Sequence, residues 1–214
     1  VVWGSGFDEG VFAPAVDSAH ARQQQGLDSK FVLMFHGSLS PTRGLDAVIR
    51  SLRLLRDQGQ QHLHLVLIGR GSARADLTEL ATDLGVADQI LWIPPVPHVE
   101  IPAWIAAADL GLDPLPDHPW WHHQSPLKVY EYLAMGKPVL ATDLPCHRRI
   151  SEAVLLAPDN HPSTLAALIL RTSHLCQADR QHLREVALRD ARRHTWRARA
   201  GALAHFLHGQ LDSV

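Results

Sequence analysis

An α/β chain built on a doubly wound parallel sheet is what the sequence predicts, and three observations predict it. Short apolar runs alternate with segments of helical periodicity along most of the 214 residues. The turns leading out of the first two apolar runs carry glycine, at Gly37 and Gly44 and again at Gly69 and Gly71. Residues 125–142 place a helix start, a helix stop and an apolar strand in immediate succession. In such a sheet ligands bind beyond the carboxyl ends of the strands, which makes the strand-to-helix turns the places to look for chemistry.

The elements follow in order. The opening, Val1 to Asp8, has the character of a strand entering a loop, and its lack of a methionine is that of a fragment. Residues 30–36 form a buried strand, and Leu45, Val48, Ile49, Leu52 and Leu55 then recur with helical spacing. Residues 63–68 give a second strand, the stretch around Leu77, Leu80, Ala81 and Leu84 a helix stopped at Gly85, and residues 89–93 a third strand. A helix over 101–108 and a strand over 109–113 come next, followed by a long Pro/His/Trp loop over 114–124. Ser125 is placed to cap a helix through its hydroxyl, Pro126 suits the first helical position, and Gly136 suits a left-handed stop. Strands over 137–142 and 154–156 and helices over 163–176 and 179–194 complete the series. The expected organisation is a junction and linker over 1–29, a Rossmann-like domain over 30–194 and a C-terminal helix over 195–214.

Composition excludes several function classes. With 20 basic and 22 acidic residues the formal charge is −2 and no Lys/Arg tract is present, so no nucleic-acid partner is expected. The two cysteines, Cys146 and Cys176, are far apart, which supports neither a disulfide framework nor a thiolate zinc site and makes a reducing, cytoplasmic setting the expectation. No run of about 18 apolar residues offers a transmembrane segment, and no signal-peptide pattern opens the chain. His118, His122 and His123 share one loop without the fixed geometry of a zinc site, so no metal is expected. His62 and His64 alternate near a strand edge and are expected to face solvent.

Two places carry candidate chemistry. The turn from His36 to Gly44 joins a strand to a helix, so backbone amides, the helix dipole and Arg43 are set to face one anion. Lys128 and Glu131 lie three apart near the start of the helix after Ser125, on one face and beside its unpaired amides, which suits an anion and a polyol together. The plainer account of this pair is a surface ion pair worth roughly 0.2–0.5 kcal/mol. Trp120 and Trp121 divide between packing and lining the cleft, and Gly69-Arg70-Gly71-Ser72 is taken as a structural turn on the ligand side.

Residues 125–142 resemble the donor-nucleotide site of retaining glycosyltransferases of the GT-B fold, the family-4 type also called glycosyl transferases group 1. The match runs through Ser125-Pro126-Leu127-Lys128 and through Glu131, Tyr132, Ala134, Gly136, Pro138 and Val139. The resemblance implies that Glu131 binds the ribose of a nucleotide-sugar. It implies that Arg43 and Lys128 act in catalysis by stabilising the leaving diphosphate, with Gly37, Ser38, Gly44, Ile93 and Ser125 also lining the donor site. Residues 93–96 are implied to meet the base through main-chain groups. Arg43-Gly44 matches the family's Lys-Gly, whereas Ser38 replaces its Arg and His123 its commoner acid. Gly6-Phe7-Asp8 with Phe12-Ala13-Pro14 is similar to the family's inter-domain junction, and Thr195-Trp196-Arg197 with Ala200, Leu203, Leu207 and Leu211 to its closing helix.

On this resemblance the chain is half of a GT-B enzyme, the half that binds a UDP- or GDP-sugar donor as substrate, with no obligatory cofactor. The other partners it implies are a missing N-terminal domain and an acceptor sugar or glycolipid, with the full-length protein cytoplasmic or peripheral to the inner face of the membrane. A GT-B nucleotide-sugar epimerase and a non-catalytic nucleotide-sugar-binding module share this half-fold and stand as alternatives.

Overall fold

The computed structural model describes residues 4–14, 19, 22, 23 and 25–211. Val1, Val2 and Trp3, expected to enter as a strand, lie outside the described residues, as does the side chain of Leu211. Six strands, β1 (Phe31–His36), β2 (Leu63–Ile68), β3 (Ile90–Ile93), β4 (Leu110–Asp113), β5 (Val139–Thr142) and β6 (Val154–Ala157), form one sheet. All their pairings are parallel, and the order is β3-β2-β1-β4-β5-β6. The order reverses between β1 and β4, and that switch opens a crevice at their carboxyl ends.

Eight helices are described: α1 (Leu45–Asp57), α2 (Arg74–Asp83), α3 (Ile101–Ala107), α4 (Pro119–His122), α5 (Leu127–Ala134), α6 (Pro162–Ser173), α7 (Gln177–Ala191) and α8 (Trp196–Leu211). Alternation along the strands divides the core. Phe31, Leu33 and Phe35 of β1 join α1, α2 and α6 on one face through Ile49, Leu52, Leu77 and Ile169. Val32 and Met34 join α3, α5 and α7 on the other through Ile105, Val129, Leu133 and Val186.

Helix α5 carries the segment on which the sequence argument rests. Its stop is as expected: Gly136 has φ +69, its N–H donates to the Leu133 carbonyl at 2.9 Å, and the Lys137 N–H donates to Tyr132 at 3.0 Å, a doubly bonded left-handed cap. Its start differs. Pro126, not Ser125, is the N-cap residue, with no side-chain cap bond. The Ser125 hydroxyl instead accepts the Ser5 N–H at 2.7 Å, tying the opening segment to the helix. Phe7 pairs with Thr195 in an isolated parallel bridge that joins the same segment to the start of α8. The expected loop over 114–124 contains α4, because the His118 ring accepts the Trp120 N–H at 3.1 Å and caps a turn opened by Pro119.

Gly111 of β4 sets the depth of α5 against the sheet. A Cβ there would lie 2.5 Å from the Tyr132 ring, and the buried Tyr132 hydroxyl donates to the Met34 carbonyl at 2.9 Å. Lys128 and Glu131 are fixed by the same anchorage, one turn and one residue earlier.

Candidate active site

The crevice between β1 and β4 is walled by turns that only glycine permits. Gly37 has φ +124 and Gly69 φ +143, and a Cβ on Gly69 would fall 1.9 Å from the Gly37 carbonyl oxygen. The turns after β1 and β2 therefore stack backbone on backbone, as the structural account of Gly69 and Gly71 expects. Gly44, φ +68, lies so close to the loop after β4 that a Cβ would be 2.0 Å from the Pro114 carbonyl oxygen. That contact brings Arg43 beside the end of β4, where Asp113 stands.

A cavity of about 430 Å³ opens beyond the ends of β1, β2 and β3, bordered by Gly37, Ser38, Gly69, Arg70, Pro95 and Val96, whereas Arg43, Gly44, Lys128 and Glu131 do not border it. Ile93 does not border it, and its carbonyl accepts the Gly69 N–H at 3.1 Å. Within the stretch 93–96, the exposed wall thus belongs to Pro95 and Val96. His36 and His98 also line this cavity.

Glu131 meets both histidines. It is 2% exposed, and its Oε1 lies 2.9 Å from His98 Nε2, its Oε2 3.3 Å from His36 Nε2. Burial pushes the Glu131 carboxyl up, while the His98 bond and the Lys128 charge pull it down. His36 is held down to about 3 by burial, reinforced by Lys128 and His98, so its ring is neutral. Its buried Nε2 has no hydrogen-bond partner among the described residues. A polar group left in that condition at a cleft wall is suited to a ligand hydroxyl.

Lys128 does not pair with Glu131, which corrects the plain ion-pair account. Its Nζ donates to Asp113 Oδ1 at 3.2 Å and lies 4.9 Å from the Phe35 ring centroid. Its Cε sits 4.0 Å from where a Cβ on Gly37 would be, so the side chain runs beneath the first turn. Asp113 is fully buried, and its Oδ2 meets His147 Nε2 at 3.0 Å.

Arg43 stacks over Trp121, with its guanidinium carbon 4.7 Å from the ring centroid, and its buried Nε has no partner among the described residues. The two tryptophans do not divide cleanly: Trp121 packs with Leu115 and Leu144, Trp120 is 76% exposed, and both border a separate cavity of about 450 Å³ with Thr42, Pro116 and Asp117. His123 is exposed, 6.5 Å from the His122 ring, and His122 is taken up by Asp117 at 2.6 Å. His62 and His64 are half-buried rather than solvent-facing, and His64 Nδ1 is buried without a partner among the described residues. His62 precedes β2 and His64 lies within it, and β2 is an inner strand between β1 and β3.

Sequence reasoning missed His98, Asp113 and His147. The available signal was faint: Asp113 is a lone charge closing an apolar strand on the ligand side, and His98 follows the Pro-rich exit of β3.

Residues 30–174 match the family described as glycosyl transferases group 1. The chain belongs to that family. Among its group 1 relatives, the D-inositol 3-phosphate glycosyltransferase of Thermobispora bispora is 31% identical over 223 residues, covering 98% of this chain and 50% of the relative. The enzyme of the same name from Thermomonospora curvata is 29% identical over 232 residues, covering 96% and 52%. Anabaena Alr3699/HepE, solved in complex with UDP and glucose, superposes with a TM-score of 0.80 at 21% identity over 95% of this chain and 55% of its own. At that identity the likeness shows the fold, a GT-B type of six-stranded α/β layer. The chain spans about half the length of these curated relatives. Among the described residues, no helix is long and apolar enough to cross a membrane.

Proposed function

We propose that this chain is the donor half of a retaining glycosyltransferase, binding a nucleotide-diphospho-sugar in the crevice between β1 and β4. The observation that carries the reading is Glu131, a buried carboxylate set behind His36 and His98 of the cavity wall, with Lys128 three residues before it beneath the Gly37 turn. Glu131 accepts the two ribose hydroxyls, which takes over the lone pairs now shared with His98. Lys128, Arg43 and the amides at the start of α5 meet the diphosphate. Catalysis by this half is electrostatic: the cations stabilise charge as it develops on the departing diphosphate, without a metal or other obligatory cofactor. The sugar is transferred with retention to an acceptor, a sugar or glycolipid, held by an N-terminal domain. In this reading, residues 30–194 are the donor domain, residues 1–29 the junction and 195–214 the closing helix, in a protein acting in the cytoplasm or at the membrane's inner face.

Both base types are open to test, since Alr3699/HepE was solved with UDP and a group 1 relative from Mycolicibacterium smegmatis is named a GDP-mannose-dependent mannosyltransferase. The experiment is a thermal-shift panel of UDP, GDP, ADP and their sugars. A ligand at about 100 times its dissociation constant adds about 2.7 kcal/mol, which raises the midpoint of a domain this size by about 5–10 °C. A shift with one nucleotide series names the base, and a flat panel on folded protein overturns the reading.

A further inference from the structure

Asp113 and His147 form a buried pair behind Lys128 that the donor-site reading does not use. His147 has no exposed surface on its side chain and stands on the segment after β5. Its Nδ1 is 2.7 Å from the Thr142 carbonyl oxygen and its Nε2 is 3.0 Å from Asp113 Oδ2. Neither oxygen has a proton to give, so both ring nitrogens must carry one, and the ring is an imidazolium. Burial opposes that charge, but the bond to Asp113 and the Asp113 charge outweigh it and lift the group to about 10.

Asp113 is therefore shared. One carboxylate oxygen holds Lys128 at 3.2 Å and the other holds His147 at 3.0 Å, and the two cations together, against burial, keep the carboxyl well below the usual carboxylate range. The charges in this group are −1 on Asp113 and +1 each on Lys128 and His147, leaving one positive charge uncancelled. With a neutral side chain at 147, the same carboxylate would cancel Lys128. Of the groups near it, His36 is neutral and Tyr132 keeps its proton, while the Glu131 carboxylate also feels the Lys128 charge, so without the His147 imidazolium the two carboxylates would outweigh Lys128.

We propose that Asp113 and His147 are positioning residues of the diphosphate site: Asp113 holds the Lys128 ammonium in place, and the His147 imidazolium takes up the Asp113 charge so that Lys128 keeps its own for the ligand. The inference rests on the proposed role of Lys128 at a diphosphate. The segment that supplies His147 also supplies Leu144, which packs under Trp121, and Trp121 is the platform for Arg43. One stretch of chain after β5 thus supports both cations of the site.

The test compares the protein with His147→Gln and Asp113→Asn by calorimetric titration with UDP, uridine, GDP and guanosine. For the nucleotide that binds, His147→Gln lowers diphosphate affinity about tenfold, the loss of one charge-assisted contact, and leaves nucleoside affinity within about twofold. Parallel loss of diphosphate and nucleoside would make the pair merely structural, and no loss of either would overturn the proposal. A wild-type protein that binds none of the four probes overturns the donor-site reading instead. The charge assignment has its own test without nucleotide: ¹⁵N spectra of the wild-type protein at pH 8 show both His147 ring nitrogens protonated, and a neutral ring there overturns the inference whatever binds.

Discussion

Replacing Glu131 by Gln is expected to move binding and stability in opposite directions. The carboxylate is 2% exposed, and burial is the dominant influence on it, raising its folded pKa above the ordinary 4.5. An acid raised on folding binds more protons folded than unfolded between the two pKa values, so stability falls as pH rises through that window and the full cost persists above it. The neutral amide carries no such cost, so E131Q is at least as stable as wild type at pH 7.5, and the difference between the two closes below pH 4.5. Binding goes the other way. A carboxylate accepts from both ribose hydroxyls, whereas an amide presents one acceptor and one donor, so about one charged hydrogen bond is lost. At about 1.5–3 kcal/mol for such a bond, affinity falls roughly 10- to 150-fold. Urea denaturation from pH 4 to 8 measures the first effect and calorimetry with the nucleotide the second. If E131Q binds within twofold of wild type, Glu131 is not the ribose acceptor. If it is less stable than wild type at pH 7.5, the desolvation argument is wrong.

Two further perturbations follow from the geometry. Gly111→Ala forces a methyl to within 2.5 Å of the Tyr132 ring, which cannot retreat while its hydroxyl is bonded to Met34; a loss of about 1–3 kcal/mol by urea denaturation is expected, and a change below about 0.5 kcal/mol would show that α5 slides freely on β4. Two histidines shape stability from opposite sides of neutrality: His36, depressed to about 3, contributes stability present above its unfolded pKa of 6.5 and lost as pH falls toward 3. His147, raised to about 10, contributes stability present below 6.5 and lost as pH rises toward 10. Denaturation midpoints should peak near pH 6.5, with the alkaline decline flattened in His147→Gln, and a decline unchanged in that variant would refute the assignment.

The sheet was legible because both its faces are covered. Buried parallel strands appear as unbroken apolar runs, and β2 lies over Leu63–Ile68, as the sequence predicts. The stop of α5 was equally legible, since Gly136 needs its left-handed φ whatever surrounds it. Its start was not. Ser125 has the chemistry of a cap, but the competing donor is Ser5 N–H, 120 residues away, and no local rule anticipates it. The same holds for Lys128 and Glu131: their spacing suggests each other, yet Asp113 and His98, delivered by β4 and by the exit of β3, take them apart. α4 was hidden because proline and histidine mark a loop, and only the His118 ring closing on Trp120 N–H makes a turn of it. What local pattern conveys is the identity of the functional helix; what it leaves out is the set of tertiary partners that tune each charge on that helix.

Those partners make the site an extension of the sheet rather than a decoration on its loops. Gly111 and Asp113 are two residues apart on β4, so they point to the same side of the strand, and both act on α5. Gly111 sets the depth of the helix through Tyr132, and Asp113 sets the direction of Lys128. A shift of β4 would therefore disturb the proposed diphosphate contact by both routes, whereas Glu131 is also held from the β3 exit, through His98. On the proposed function, the two halves of a nucleotide are gripped by different supports, the ribose from the β3 exit and the diphosphate from β4 and the segment after β5. That separation is why comparing a nucleoside with its diphosphate isolates Asp113 and His147 from every residue that merely keeps the crevice folded.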